Sequence, residues 1–227
     1  MHVPDGFIDA ATSLATGAVA AAGVTVALRG ARRQLDDRTA PMAGLVATFV
    51  FAGQMMNFPV GAGTSGHLLG GTLAAVLAGP WTAVLAITVV LLVQALLMAD
   101  GGITALGTNV TLMALVAVAV GWLVFRGVRA VLPRRTASVA PAAAVGAFVS
   151  VPVTALAFTA IYAVGGTAPV ALDTLLAGML TWHLVIGLGE AAITGLVVAS
   201  VVAVRPDLVH GARDVLQARP LEIRTAA

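Results

Sequence analysis

The chain has 227 residues, of which 59% are hydrophobic and only 10% charged, where a soluble domain carries about 25% charged residues. Its twelve basic residues are all Arg, and a formal net charge of +2 makes no basic stripe, which excludes a nucleic-acid partner. With no cysteine, disulfides, zinc–thiolate sites, iron–sulfur ligation and thiol nucleophiles are excluded together. A composition this apolar describes an integral membrane protein.

The charges fall in clusters, and the gaps between clusters count the crossings. Ala10–Leu28 is an uncharged run of Ala, Val and Leu. From Thr39 to Ala99, 61 residues pass without a charge, room for about three helices at about 20 residues each. Gly101–Phe125 holds one more, Thr136–Leu172 another with a loop, and Thr174–Val204 contains a single acid, Glu190. The expected spans are 10–28, 41–57, 67–80, 81–99, 104–125, 140–164 and 177–204, punctuated by Pro41, Gly79-Pro80, Asp100-Gly101-Gly102 and Pro133. The expected fold is an all-α bundle of about seven transmembrane helices, one domain over 1–204, followed by a cytoplasmic tail over 205–227.

Arginines follow the first span (Arg29, Arg32, Arg33, Arg38), the fifth (Arg126, Arg129, Arg134, Arg135) and the seventh (Arg205, Arg213, Arg219, Arg224). An even number of spans separates each cluster from the next, so all lie on one face, which the positive-inside rule makes cytoplasmic. The amino terminus is then outside, in a multi-pass protein of a bacterial or archaeal plasma membrane. The opening residues lack a basic n-region, so no cleavable signal is expected and Met1 is expected to be the mature first residue.

That placement gives His2 a chemical meaning. A free α-amine, the backbone nitrogen of residue 2 and that residue's imidazole close a five-membered and a six-membered chelate ring on one metal ion. The three nitrogens share a plane, which suits Ni(II), Cu(II) or Co(II) with tetragonal preference. His67 ends the Gly-rich stretch Gly61-Ala62-Gly63-Thr64-Ser65-Gly66-His67 on the same outer face and is the candidate fourth nitrogen. Residues 67–80 rise only about 20 Å as a helix, short of a hydrocarbon core about 30 Å thick, so the loop before them is expected to dip into the membrane. Non-helical backbone at that depth must be buried in protein or line a cavity.

His183 and Glu190, seven residues apart on the last span, share one helix face. An intramembrane carboxylate is costly and faces the bundle interior. Glu190 is therefore a support for a ligand, a proton site or a helix-locking hydrogen bond. Asp5, Asp9, Asp100 and Asp173 fall on the outer side, where acids concentrate cations. His210 reads as a solvated tail residue. Small residues at four-residue spacing (Gly17 and Ala21, Ala18 and Ala22) permit close approach of the first span to a neighbour.

Two further motif matches arise. Gly61-Ala62-Gly63-Thr64-Ser65-Gly66 fits the dinucleotide fingerprint but lacks a βαβ unit. Gly63-Thr64-Ser65-Gly66 fits the G-x-S-G of rhomboid-type intramembrane serine proteases, with His183 as a conceivable base, and stands as the rival reading. Against it, Ser65 opens the third of seven spans, whereas such enzymes carry their Ser on the fourth of six.

The opening Met1-His2-Val3-Pro4-Asp5-Gly6-Phe7 resembles the "MHIPDGF" start of the CbiM/NikM family. Gln54–Gly71, Ala99–Asn109 and His183–Gly195 resemble it as well. That family comprises the substrate-binding membrane components of cobalt and nickel energy-coupling-factor (ECF) ABC transporters. The resemblance implies metal ligation by Met1, His2 and His67, with Asp5, Asn57, Ser65, His183 and Glu190 as candidates to support the ion or line its path. It implies no catalytic residue and no resident cofactor, the ion being cargo: Ni2+ is favoured by the planar nitrogen set, with Co2+ as the alternative. No G-x-x-x-x-G-K-[ST] motif occurs, so the implied partners are separate ATPase subunits and a coupling transmembrane (T) subunit, with a small accessory membrane subunit.

Overall fold

A computed structural model describes residues 1–33, 39–61 and 64–217. Asp9 starts the first helix by accepting the Thr12 amide at 2.7 Å, and α1 runs Ala10–Ala31. α2 (Thr39–Gln54) precedes a small antiparallel hairpin, β1 (Phe58–Gly61) and β2 (Thr64–Gly66), paired Phe58 to Gly66 with a bulge between Pro59 and Gly61. α3 (Gly71–Ala78) and α4 (Pro80–Leu97) follow. Leu106–Val131 is one continuous helical rod made of α5 (Leu106–Asn109), a π-helical stretch (Val110–Val116) and α6 (Ala117–Val131). α7 (Val139–Gly165) and α8 (Leu172–Val204) pack against each other.

Among the described residues, five stretches are long and apolar enough to cross a membrane: Ala10–Ala31, Pro80–Leu97, Leu106–Val131, Thr136–Gly165 and Leu172–Val204. Their outward faces carry large apolar side chains, among them Leu14, Leu123, Val164 and Leu196, all more than 65% exposed. Such side chains on water would be a severe liability; against lipid they cost nothing.

The helices found at the expected crossings 41–57 and 67–80 have narrower bounds. α2 ends at Gln54, and residues 67–70 are not helical, so α3 spans eight residues, about 12 Å. Every residue of α3 is buried. The helix starts at Gly70 and stops at Gly79, with φ of 75° and 91°, values that suit glycine, and Pro80 at once begins α4. The bundle is helical as expected; the short hairpin is a local feature that makes the backbone turn back before His67.

Close packing around α3 depends on small residues. Thr72 sits against Gly121 of α6, its hydroxyl is 3.2 Å from that of Ser150 on α7, and Gly146 of α7 faces the Gly121 carbonyl. The buried stripe of α1 is Thr16, Ala20, Ala27 and Ala31 rather than the expected Ala18 and Ala22, which are exposed; Gly17 is the point where Gly107 approaches α1. The difference is one of helical phase, which an Ala-rich sequence does not reveal.

Arginines gather at the end of the bundle opposite residues 1–9. Arg126, Arg129 and Arg134 line a cavity of about 370 Å³ there, and Arg129 pairs with Asp214 at 3.2 Å. Arg38, Arg219 and Arg224 lie outside the described residues. The segment expected as a tail packs back as far as α9 (Arg213–Gln217), burying Val209, Ala212 and Val215. His210 is correspondingly partly buried beside Trp122; burial first, then Arg213, pulls its pKa down to about 4.

A Cβ on Gly146 would lie 2.7 Å from the Gly121 carbonyl oxygen, a backbone atom that cannot swing away. Gly146→Val should therefore cost about 1–3 kcal/mol, read as a lowered melting temperature in detergent. Gly127→Ala, where a Cβ meets nothing within 4 Å, should leave it unchanged.

Candidate metal centre

The first nine residues form an extended segment pinned across one end of the bundle. Asn109 accepts the Val3 amide through Oδ1 at 2.8 Å and donates Nδ2 to the Val3 carbonyl at 3.1 Å, so one side chain grips both polar groups of one residue. The Gly102 amide donates to the same carbonyl at 2.9 Å. Asp5 accepts the Thr104 amide at 2.7 Å as well as its hydroxyl, bonds that hold its carboxyl below the usual range. Gly6 adopts φ 75°, which turns Phe7 onto Phe158 and Tyr162 at ring separations of 6.0 and 5.3 Å. Ile8 pairs with Gly166, and the Asp9 amide donates to the Gly165 carbonyl at 2.7 Å. Val3, Asp5, Phe7, Ile8 and Asp9 thus hold the two residues before them, and Asp5 acts in this as a clamp.

Held this way, the amino terminus is buried. Met1, His2 and His67 are 2%, 6% and 1% exposed. The Met1 amine meets His67 Nε2 directly, and the His2 and His67 rings stack 4.5 Å apart at 29°. Burial drives the pKa of the amine down to about 4 despite the pull of Asp100 and Glu190 the other way. The amine is therefore a neutral lone-pair donor at pH 7.

Neighbouring oxygens fix which nitrogen of each ring is free. His67 donates Nδ1–H to the Leu68 carbonyl at 2.7 Å, and His2 donates Nε2–H to Gln94 Oε1 at 3.0 Å. Neither oxygen can itself donate, so His67 Nε2 and His2 Nδ1 keep their lone pairs. Donation of the second ring N–H to an oxygen is how metal-binding histidines are oriented. Asp100 Oδ1 lies 3.2 Å from His2 Nδ1, off the line of a hydrogen bond, and Asn57 donates to Asp100 Oδ2 at 2.9 Å. Asp100, which accepts from Asn57, sets a carboxylate beside the cluster. Among the described residues no three His, Cys, Asp or Glu side chains converge as a metal cage. The nitrogens that do come together belong to two side chains and the amino-terminal main chain.

The loop carrying His67 hangs from two buried side chains. Glu190 of α8 accepts the Leu69 and Gly70 amides at 2.7 and 2.9 Å, at the positive start of α3, and Gln54 donates to the Leu69 carbonyl at 2.9 Å. Of the roles open to Glu190, the geometry shows the helix-locking one. His183 donates Nδ1–H to the Met179 carbonyl at 2.7 Å and is fully buried. The Ser65 side chain lies outside the described residues.

A family described as the cobalt uptake substrate-specific transmembrane region, CbiM, matches residues 2–208. The chain belongs to the CbiM family. This CbiM-family chain is 38% identical over 209 residues to a Haloquadratum walsbyi protein named for metal transport, covering 92% of this chain and 93% of that one. It is 37% identical over 210 residues to an Archaeoglobus fulgidus protein named for nickel transport as a fused NikMN, covering 92% and 68%. A crystal structure described as a truncated transition metal transporter superposes with a TM-score of 0.84 at 32% identity, over 89% of this chain and 99% of that one. The chain is accordingly a multi-pass membrane component of metal transport and not an enzyme, so the protease reading of Ser65 and His183 falls.

Gln54, Gln94 and Asn109 were not among the expected site residues. The chain has six Asn and Gln residues, and four of them (Gln54, Asn57, Gln94 and Asn109) stand at this site. An uncharged amide inside an apolar helix is the signal that a census of charges passes over.

Glu190→Ala leaves two buried amides without an acceptor and should cost about 1–3 kcal/mol in thermal unfolding. Glu190→Gln, which keeps one acceptor oxygen, should cost less than the Ala variant in the same melt.

Proposed function

We propose that this chain is the substrate-binding membrane component of an ECF-type transporter for uptake of a divalent transition metal ion, with nickel as the cargo. The observation that carries the reading is the contact of the Met1 amine with His67 Nε2, beside a His2 ring whose Nδ1 lone pair is free. The α-amine, the His2 amide nitrogen and His2 Nδ1 chelate the ion in one plane, and His67 Nε2 completes the square. Four nitrogens in a plane suit Ni(II) better than Co(II), which is the alternative cargo.

Charge supports the same assignment. The coordinating amide gives up its proton and brings one negative charge, and Asp100 stands alongside with another. A divalent ion in this place is neutralised, which permits its burial away from water. The ion must shed its hydration shell to enter, so selection rests on geometry and nitrogen affinity more than on attraction.

In this reading seven crossings, with Leu68–Gly70 and α3 together making the third, put the amino terminus outside and the arginine end in the cytoplasm. The ion is taken from outside. Energy comes from ATPase subunits through a coupling T subunit, with a small accessory membrane subunit beside this chain.

Residues added before Met1 should abolish high-affinity binding in calorimetry of the purified protein, because they convert the amine into an amide; undiminished binding would refute the site. The same measurement on protein whose first residue is verified by mass spectrometry supplies the reference. In competition, Ni2+ should displace Co2+ with a preference of about tenfold or more, and tighter cobalt binding would reassign the cargo.

A further inference from the structure

His183 repeats the arrangement found at His2 and His67. Its Nδ1–H is committed to the Met179 carbonyl at 2.7 Å, so Nε2 carries a lone pair. That nitrogen is buried with no hydrogen-bond partner, in a side chain with no exposed surface. The Met1 amine and His67 both lie within electrostatic reach of the His183 ring. An imidazole held in one tautomer, with a dry lone pair near the donors of the cage, leaves a polar atom unmatched at a cost that a structure ordinarily avoids. A cation arriving there would match it.

His183 does not join the other histidines as a simultaneous cage, since no three such side chains converge among the described residues. It also belongs to a different element: the cage stands on the amino-terminal segment and the His67 loop, whereas His183 stands on α8. Glu190, seven residues further along α8 and on the same helix face, holds the loop that carries His67. One helix therefore carries both the hanger of the outgoing ligand and a free nitrogen.

We propose that His183 is a transfer ligand: the first nitrogen to take the metal ion as it leaves the four-nitrogen plane. The inference rests on the reading of Met1, His2 and His67 as the cage. The step is a ligand exchange. Metal–nitrogen bonds to the amine, the amide nitrogen and the other imidazoles break as one to His183 Nε2 forms; the amide nitrogen takes one proton from a water entering from outside, the hydroxide left returns to the outer solution, and no electron is transferred. A movement of α8 that shifts Glu190 disturbs the His67 loop and re-aims His183 together.

The test separates binding from movement. His183→Asn can still donate to the Met179 carbonyl but has no nitrogen in place of Nε2. Binding of Ni2+ to the purified variant, followed by calorimetry and by the d–d absorption of the planar complex, should match the parent. Uptake of labelled Ni2+ by cells producing the variant with its transport partners should fall about tenfold or more. Parental uptake overturns the proposal, and so does a loss of binding matching the loss of uptake, which makes His183 a support of the cage instead. If the Asn variant does not accumulate, His183→Gln, with an amide oxygen as the only donor available there, is judged by the same two measurements. Absence of Ni2+ binding by the parent would refute the cage reading itself, a result distinct from normal binding with normal uptake in the variant.

Discussion

The structure turns on burying an amino terminus. An α-amine is ordinarily charged, hydrated and loose, and to hold it inside an apolar bundle the protein must restrain the chain behind it. That need explains the opening residues: the Val3 backbone in the fork of Asn109, Asp5 on Thr104, the left-handed turn at Gly6, Phe7 in its aromatic seat and Asp9 as helix cap. Burial also draws the amine's pKa down, so the contacts that anchor the segment favour its uncharged form.

The second requirement is a loop that presents His67 at the same depth. Non-helical backbone there needs internal partners for its polar groups. Glu190 and Gln54 supply them, and the short α3 beyond absorbs the remaining depth. A buried carboxylate is commonly read as a proton carrier; here it answers two amides at a helix start, a structural use of an expensive group.

Much of the architecture was legible in the sequence. Charge-free gaps locate the long helices because a bilayer sets their length, and counting crossings puts His67 on the same face as Met1 and His2, next to which the structure places it. What escaped has physical reasons. The inner face of α1 could not be phased because nearly every residue on it is small and apolar. The shortness of α3 was hinted at by Gly70, Gly71, Gly79 and Pro80, yet composition does not tell a short helix inside protein from a crossing. Gln54, Gln94 and Asn109 escaped because amides carry no charge, and His210 was misjudged because nothing local announces that a segment will fold back.

The shortness of α3 has one more consequence. At its start Leu69 and Gly70 are fastened to α8 through Glu190, and beyond its other end Gly211 packs on Val76 and Phe125 at the arginine end of the bundle. The fully enclosed α3 therefore lies between the His67 loop, held at Leu69 and Gly70, and the folded-back segment, which Val76 touches at Gly211.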